Sequence, residues 1–326
     1  MPNDTVTTLS VVIVNFRTPS FVIDCLVTLL PELDGIDARI VIVDNCSGDD
    51  SFDIINSWLM QYDTEQIVLL HQSDHNSGFA GGNNIGIKAQ KANYYLLLNS
   101  DTLIRPNAIR MMIDTARDFP EAGLVSPRLE WPNAAGQESC FRYHTPVSEL
   151  LGAAQTGLVD RLLGQYLVPL PVQSGIAWPE WTSFACVLIN DELFQQIGLL
   201  DDGYFMYFED VEFCYRAQKS GWRVVHNPEA RVVHLRGGSS PVKEQVRLKK
   251  RVPRYFYESR TRFFYQAYGR LGLTAANLCW WLGRLLSKLR QLLGRTDKAA
   301  IAGQWLDIWT NWLRPSAPYI HPQSKV

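Results

Sequence analysis

The chain has 326 residues, 46% hydrophobic and 20% charged, the balance of a soluble globular protein. That length suits one large α/β domain with an appendage or two modest domains, and it excludes a miniature that depends on disulfide staples. The formal net charge of −2 conceals a division: residues 1–240 hold 15 Lys and Arg against 29 Asp and Glu, and residues 241–326 hold 16 against 4. A split of this kind suggests either that the tail faces something anionic or that it packs on the acidic part and neutralises it. Six cysteines (Cys25, Cys46, Cys140, Cys186, Cys214 and Cys279) are scattered with no CxxC pair, and Met1–Ser10 lacks the apolar core of a secretory signal. The expected compartment is reducing and cytoplasmic.

The first 120 residues alternate strand and helix. Leu9–Val14 is an apolar, β-branched run of the buried parallel type. Thr18-Pro19 opens a helix whose apolar stripe is Val22, Cys25, Leu26, Leu29 and Leu30. The spacing then predicts a strand at Arg39–Val43, a helix marked by Ile54, Ile55, Trp58 and Leu59, and a strand at Ile67–Leu70. A short helix at Asn83–Ala92, a strand at Tyr94–Leu98 and a helix at Pro106–Phe119 follow. Repeated β-α units of this length imply a mostly parallel central sheet covered by helices on both faces. Beyond Ala122, short strands are expected at Gly123–Ser126, Trp181–Ile189, Arg223–Val225 and Arg231–His234, with helices at Asp191–Ile197 and Val211–Ser220. Residues 130–180, rich in Pro, Gly and Gln, read as a variable insertion near the site.

After residue 240 the character becomes helical and basic. Leu278, Trp281, Leu282, Leu285, Leu289 and Leu292 share one face, with Arg284, Lys288, Gln291 and Arg295 opposite. The longest charge-free stretch there, Leu271–Gly283, has 13 residues, short of the ~20 that a spanning helix needs. The stripe could cover the chain's own domain or lie on a membrane surface, and both readings stand at this point.

In a parallel α/β sheet, ligands bind beyond the carboxyl ends of the strands. Asn15, Asp44-Asn45-Cys46-Ser47 and Asn99-Ser100-Asp101 all follow strands there. Asp44 alone could equally be a helix cap, whereas Asp101 comes too early to cap the helix that begins near Pro106. One or two carboxylates are enough to hold Mg2+ or Mn2+ on a diphosphate, because phosphate oxygens and waters complete the octahedron. Asn76–Gly86 is the densest glycine cluster, but Gly78, Gly81, Gly82 and Gly86 lack dinucleotide-binding spacing, and no P-loop is present. In Tyr204–Glu212, acids stand among aromatics, where burial raises a carboxyl's pKa toward that of a general base; a helix N-terminus also favours acids without any function. His234 ends a β-branched strand as a structural residue or, with a metal nearby, as a ligand.

Six segments in this order resemble family-2 glycosyltransferases, and within them the rhamnosyltransferase-like branch: Ser10–Phe16, Ile42–Ser47, Asn76–Gly86, Leu97–Thr102, Phe208–Glu212 and Val233–Gly238. The resemblance runs over about residues 8–240 and implies a GT-A type nucleotide-binding domain (1–240), followed by a helical, basic extension (241–326). It implies an inverting transfer from a nucleotide-diphosphate sugar, a dTDP- or UDP-sugar with rhamnose favoured, to a lipid-linked or polysaccharide acceptor. Mg2+ or Mn2+ would assist, and no nucleic acid would be involved. Carried over by position, Asn15, Asp44 and Asn45 would meet the nucleotide, and Asn76, Gly78, Phe79, Gly81, Asn83 and Asn84 would shape the donor site. Asn99, Ser100 and Asp101 stand at the DxD-like motif, where Asp101 would hold the metal with His234 as a further ligand. Asp210 would be the catalytic base, with Glu209 as second choice. The first acid of that motif is absent, and Phe184 stands where the family usually has Gly, which bears on the acceptor pocket. The alternatives are a non-catalytic nucleotide-sugar-binding module and a sugar nucleotidyltransferase; the latter would want a glycine-rich basic loop after the first strand, where Asn15-Phe-Arg-Thr-Pro has no glycine. The basic tail, through residues 241–295, would place the protein on an anionic membrane surface, at the inner face of the plasma membrane.

Overall fold

Strands form where β-branched and leucine-rich runs are buried on both faces. The computed structural model describes residues 3–62, 64, 67–235, 242–292, 294 and 301–322. Its strands are β1 (Asn3–Asn15), β2 (Ala38–Asp44), β3 (Val68–Gln72), β4 (Gln90–Asn99), β5 (Thr102–Ile104), β6 (Ala122–Glu130), β7 (Cys140–Phe141), β8 (Trp181–Thr182), β9 (Cys186–Asn190) and β10 (Arg223–His234). The helices are α1 (Pro19–Leu29), α2 (Ser51–Gln61), α3 (Gly78–Ala89), α4 (Ala108–Asp118), α5 (Pro146–Ala154), α6 (Gly157–Leu163), α7 (Asp191–Ile197), α8 (Glu209–Lys219), α9 (Val242–Arg247), α10 (Arg254–Leu292) and α11 (Gln304–Asp307).

Eight strands make one sheet in the order β3-β2-β1-β4-β9-β6-β10-β5, and β7 pairs with β8 apart from it. Parallel pairing dominates: β3 with β2, β2 with β1, β1 with β4, and β6 with β10. β9 runs antiparallel between β4 and β6, and β5 antiparallel on β10. Helices cover both faces. Val22 and Leu26 of α1, Ile55 of α2 and Met112 of α4 pack on one side, while Ala80 of α3, Leu193 of α7, Phe213 of α8 and Phe263 of α10 pack on the other.

Register sets the rim. Asn15 lies beside Asp44 and Val14 beside Asn99, so β1, β2 and β4 end at one level. β9 starts at that same level, where the Asn99 N–H donates to the Ala185 carbonyl (2.9 Å). His234 pairs with Thr102, and the Leu235 N–H donates to the Asp101 carbonyl (2.9 Å), which carries the end of β10 to Asp101.

Four elements differ from the sequence expectation. α3 begins at Gly78 rather than Asn83, so the glycine cluster forms helical turns. The run Trp181–Ile189 divides into β8 and β9, which belong to different sheets. Arg223–His234 is one strand whose register shifts between Asn227 and Arg231. Residues 130–180 hold β7, α5 and α6. Residues 236–238 of the last motif, and residue 295 of the basic face, lie outside the described residues.

α10 breaks at Gly269, which takes a left-handed φ of 68°. Before the break, Phe263 and Phe264 enter the main core, Arg260 pairs with Glu149 (2.8 Å) and Arg262 with Asp201 (2.9 Å). After it, the buried side is Ala276, Trp280, Gly283 and Ser287, with Gly283 against α5, while Leu278, Trp281, Leu282, Leu285, Leu289 and Leu292 stay exposed. A Cβ on Gly283 would lie 2.4 Å from the Leu150 carbonyl oxygen and 2.8 Å from Cβ of Ala153, so small residues let the two helices touch.

Candidate active site

The aligned strand ends floor a cavity of about 340 Å3. Of the residues singled out from sequence, Asn45, Asn76, Gly78, Phe79, Asn99, Ser100, Asp101, Glu209, Asp210 and His234 line it; Asn15, Asp44, Gly81, Asn83 and Asn84 do not.

Asn15 and Asp44 lie buried behind the wall. The Asn15 amide donates to Asp44 Oδ1 (2.8 Å), and the Ser47 hydroxyl donates to the same oxygen. Asn15 Oδ1 accepts from the Thr18 backbone N–H and hydroxyl (both 3.2 Å), and Thr18 itself faces the cavity. This network fixes the turn after β1 against the turn after β2.

Asn45 does the same for the segment before α3. Its amide donates to Asn76 Oδ1 (3.1 Å) and the Gly78 carbonyl (2.9 Å), and its Oδ1 accepts from the Ser77 N–H and hydroxyl (both 3.1 Å). Gly78 adopts a φ of +71°, and a Cβ there would lie 2.1 Å from the Phe205 carbonyl oxygen. That closeness lets the Phe79 N–H donate to the Phe205 carbonyl at 2.7 Å, joining the two sides of the cavity. Asn83 and Asn84 serve the scaffold: Asn83 donates to the Phe79 carbonyl (2.9 Å), and Asn84 exchanges two bonds with Leu200.

Asp101 and His234 form the polar centre, with Nε2 and Oδ1 3.4 Å apart and both residues buried. His234 Nδ1 is buried with no hydrogen-bond partner. α8 opens with Glu209 and Asp210, which also line the cavity. They are presented by Tyr207 and Phe208, two consecutive bulky residues at φ of 71° and 68°. Left-handed backbone at such residues costs energy and is held by its surroundings; here Phe208 packs on Phe256 and Phe263. Burial, and then the negative charge of Asp210, push the Glu209 carboxyl well above the usual carboxylate range.

The sequence description of glycosyltransferase-like family 2 matches residues 7–252. The chain belongs to that family. Among its relatives, the low-salt glycan biosynthesis hexosyltransferase Agl10 of Haloferax volcanii is 29% identical over 215 residues, covering 65% of this chain and 62% of the relative. The N-acetylglucosaminyl-diphospho-decaprenol L-rhamnosyltransferase of Mycobacterium tuberculosis is 26% identical over 156 residues, 45% of this chain and 48% of the relative. The chain thus spans less than two thirds of either relative's length. Among solved structures, the mannosyltransferase PcManGT from Pyrobaculum calidifontis, in complex with GDP-Man and Mn2+, superposes with a TM-score of 0.55 at 13% identity, over 97% of this chain and 88% of that one. GalNAc-T7 with UDP, GalNAc and Mn2+ gives 0.59 at 16% identity, over 94% and 57%. These likenesses show the GT-A fold.

For a family-2 glycosyltransferase the cavity holds residues that the sequence motifs did not point to. Thr18, Tyr255, His321 and Pro322 line it as well. Thr18 was within reach of sequence reasoning through its place after β1. Tyr255 and His321 come from the C-terminal stretch, and no local pattern marks either one.

Proposed function

We propose that this chain transfers a sugar from a nucleoside-diphosphate donor to a hydroxyl of a lipid-linked or polysaccharide acceptor in glycan synthesis, with inversion at the anomeric carbon. The observation that carries the reading is the pairing of Asp101 with His234 in the same cavity that Glu209 and Asp210 line. A carboxylate facing the Nε2 side of an imidazole suits a divalent cation that takes its remaining ligands from the diphosphate and water. Among the described residues no group of three or more His, Cys, Asp and Glu could hold a metal alone, which fits a cation shared with the donor. Mg2+ or Mn2+, when bound, would neutralise charge on the leaving diphosphate.

The chain's own residues divide the remaining work. Asp210 takes the proton of the acceptor hydroxyl, whose oxygen then forms the new bond to the anomeric carbon as the bond to the diphosphate oxygen breaks. Glu209, buried and biased toward its protonated form, is the weaker candidate for that base. Asn45, Asn76, Gly78, Phe79, Asn99 and Ser100 shape the donor pocket, and Asn15, Asp44, Gly81, Asn83 and Asn84 position them. A dTDP- or UDP-sugar, rhamnose first, is the favoured donor; the mycobacterial relative, an L-rhamnosyltransferase, supports the choice of sugar.

A peripheral membrane seat accompanies this reading. No helix among the described residues is long and apolar enough to cross a membrane. The bare stripe on α10 nonetheless carries six exposed Leu and Trp side chains, and exposed Lys288 lies beside it. Apolar side chains flanked by cations suit the headgroup region of an anionic bilayer.

Calorimetric titration of dTDP-rhamnose, UDP-sugars and GDP-mannose, with Mn2+ or EDTA, tests the donor reading. One donor should bind with metal, and Asp101→Ala should weaken it by at least ~10-fold. Asp210→Asn should keep that binding and lower turnover about 100- to 10,000-fold. A folded wild type that binds no donor would overturn the reading, and one that binds but never transfers to any acceptor would make the chain a binding module.

A further inference from the structure

The cavity has a wall that comes from the far end of the described chain. Within three consecutive residues, Tyr319 to His321, there are four anchors. The Tyr319 ring packs on Phe205 with centroids 5.2 Å apart, and the Ile320 N–H donates to Glu258 Oε2 (3.1 Å). His321 stands edge-on to Phe205 at 5.4 Å and 81°, and its Nε2 lies 3.0 Å from the Asn76 carbonyl oxygen. A carbonyl only accepts, so Nε2 carries the proton and the ring's tautomer is set. Glu258 is itself held by Arg254 (2.8 Å), which ties this segment to the first turns of α10. His321 and Pro322 then line the cavity beside Asn76, Gly78 and Phe79.

The position along the sheet says which part of a ligand this wall meets. Asn76 is bonded to Asn45 at the end of β2, and Asp101 follows β4, with β1 between them. The ends of β2 and β4 stand two strand spacings apart, about 10 Å. A diphosphate held at Asp101 therefore leaves the β2 side of the cavity for the nucleoside. We propose that His321 is a nucleoside-binding residue, and that the segment Tyr319–Pro322 closes the donor pocket on its nucleoside side. This rests on the donor reading above. It adds a recognition element outside residues 7–252, the span that carries the family likeness.

The experiment is a titration of UDP, dTDP and GDP with Mn2+, and of the matching monophosphates without metal, into wild type, His321→Ala and His321→Gln. The wild type should bind one base best. His321→Ala should weaken its diphosphate and its monophosphate by the same factor, roughly 3- to 10-fold. His321→Gln keeps a donor for the Asn76 carbonyl and should recover most of the loss. Asp101→Ala, by contrast, should weaken only the metal-dependent diphosphate. In the unsubstituted protein, saturating nucleotide should slow diethyl pyrocarbonate modification of His321, read by mass spectrometry, so the test survives a variant that fails to fold. Equal affinities in His321→Ala and wild type, or a modification rate that nucleotide leaves unchanged, overturn the proposal while the donor reading stands. A wild type that binds none of the nucleotides removes both.

Discussion

Glu209 and Asp210 are neighbours in sequence, yet the fold separates their chemistry. Glu209 is buried and its Oε2 finds no hydrogen-bond partner, while Asp210 is half-buried and one of its oxygens accepts from the Val211 N–H (2.8 Å). His226 shows how burial shapes the response to acid. It lies inside the β10 layer with Nδ1 3.2 Å from the Ser126 hydroxyl; burial, helped by the charge of Arg128, pushes its pKa from 6.5 down to about 4. Between those two values the unfolded chain takes up a proton that the folded chain refuses, so stability should fall as pH falls through that window. The loss is on the order of 3 kcal/mol. Urea denaturation at pH 7, 5.5 and 4.5 should show the decline, and His226→Gln should flatten it. His144, whose burial also depresses it to about 4, would leave part of the slope in that variant. An unchanged slope would mean that His226 is protonated in the folded protein.

At the scale of elements, the contact of α5 with α10 depends on what is missing. Gly283→Leu would drive a side chain into the Leu150 carbonyl and Ala153, and it should cost about 1–3 kcal/mol in chemical denaturation. Leu282→Gln, one residue away on the exposed side, should stay within about 0.5 kcal/mol of wild type. This contrast also marks how far the sequence could be read. The six-residue stripe on α10 announces a helix, and the helix is there. The side that packs is the other one, because helix contact here is set by small residues at close approach, which hydrophobic periodicity does not register. The β-α alternation of the first 120 residues was legible for a simpler reason: strands buried on both faces must be apolar throughout, and their carboxyl ends then share a rim. Asn15, Asp44 and Asp101 were found by that logic, and the register brings all three to the rim. Whether each faces the cavity or stands behind it depends on side-chain hydrogen bonds such as Asn15 to Asp44, which spacing does not encode. His321 lay beyond reach, since its contact with Asn76 joins residues 245 positions apart.

The whole molecule sets an acidic body against a basic tail. Part of that difference is consumed internally, by Arg260 with Glu149 and Arg262 with Asp201. The remainder, with the bare apolar stripe, should bring the protein to the surface of phosphatidylglycerol vesicles. In a flotation assay the wild type should rise with such vesicles at low salt, less so at high salt. A Leu282→Gln, Leu285→Gln, Leu289→Gln triple variant should stay at the bottom with its melting temperature nearly unchanged. Wild type that remains below at every ionic strength would refute the membrane seat. The stripe also governs the protein's colloidal behaviour in plain buffer. Six large apolar side chains in a row on one helix will adhere to those of neighbouring copies. The apparent size on a sizing column should therefore grow with loading concentration and shrink again in a mild non-ionic detergent, so detergent belongs in the buffer from the first purification step.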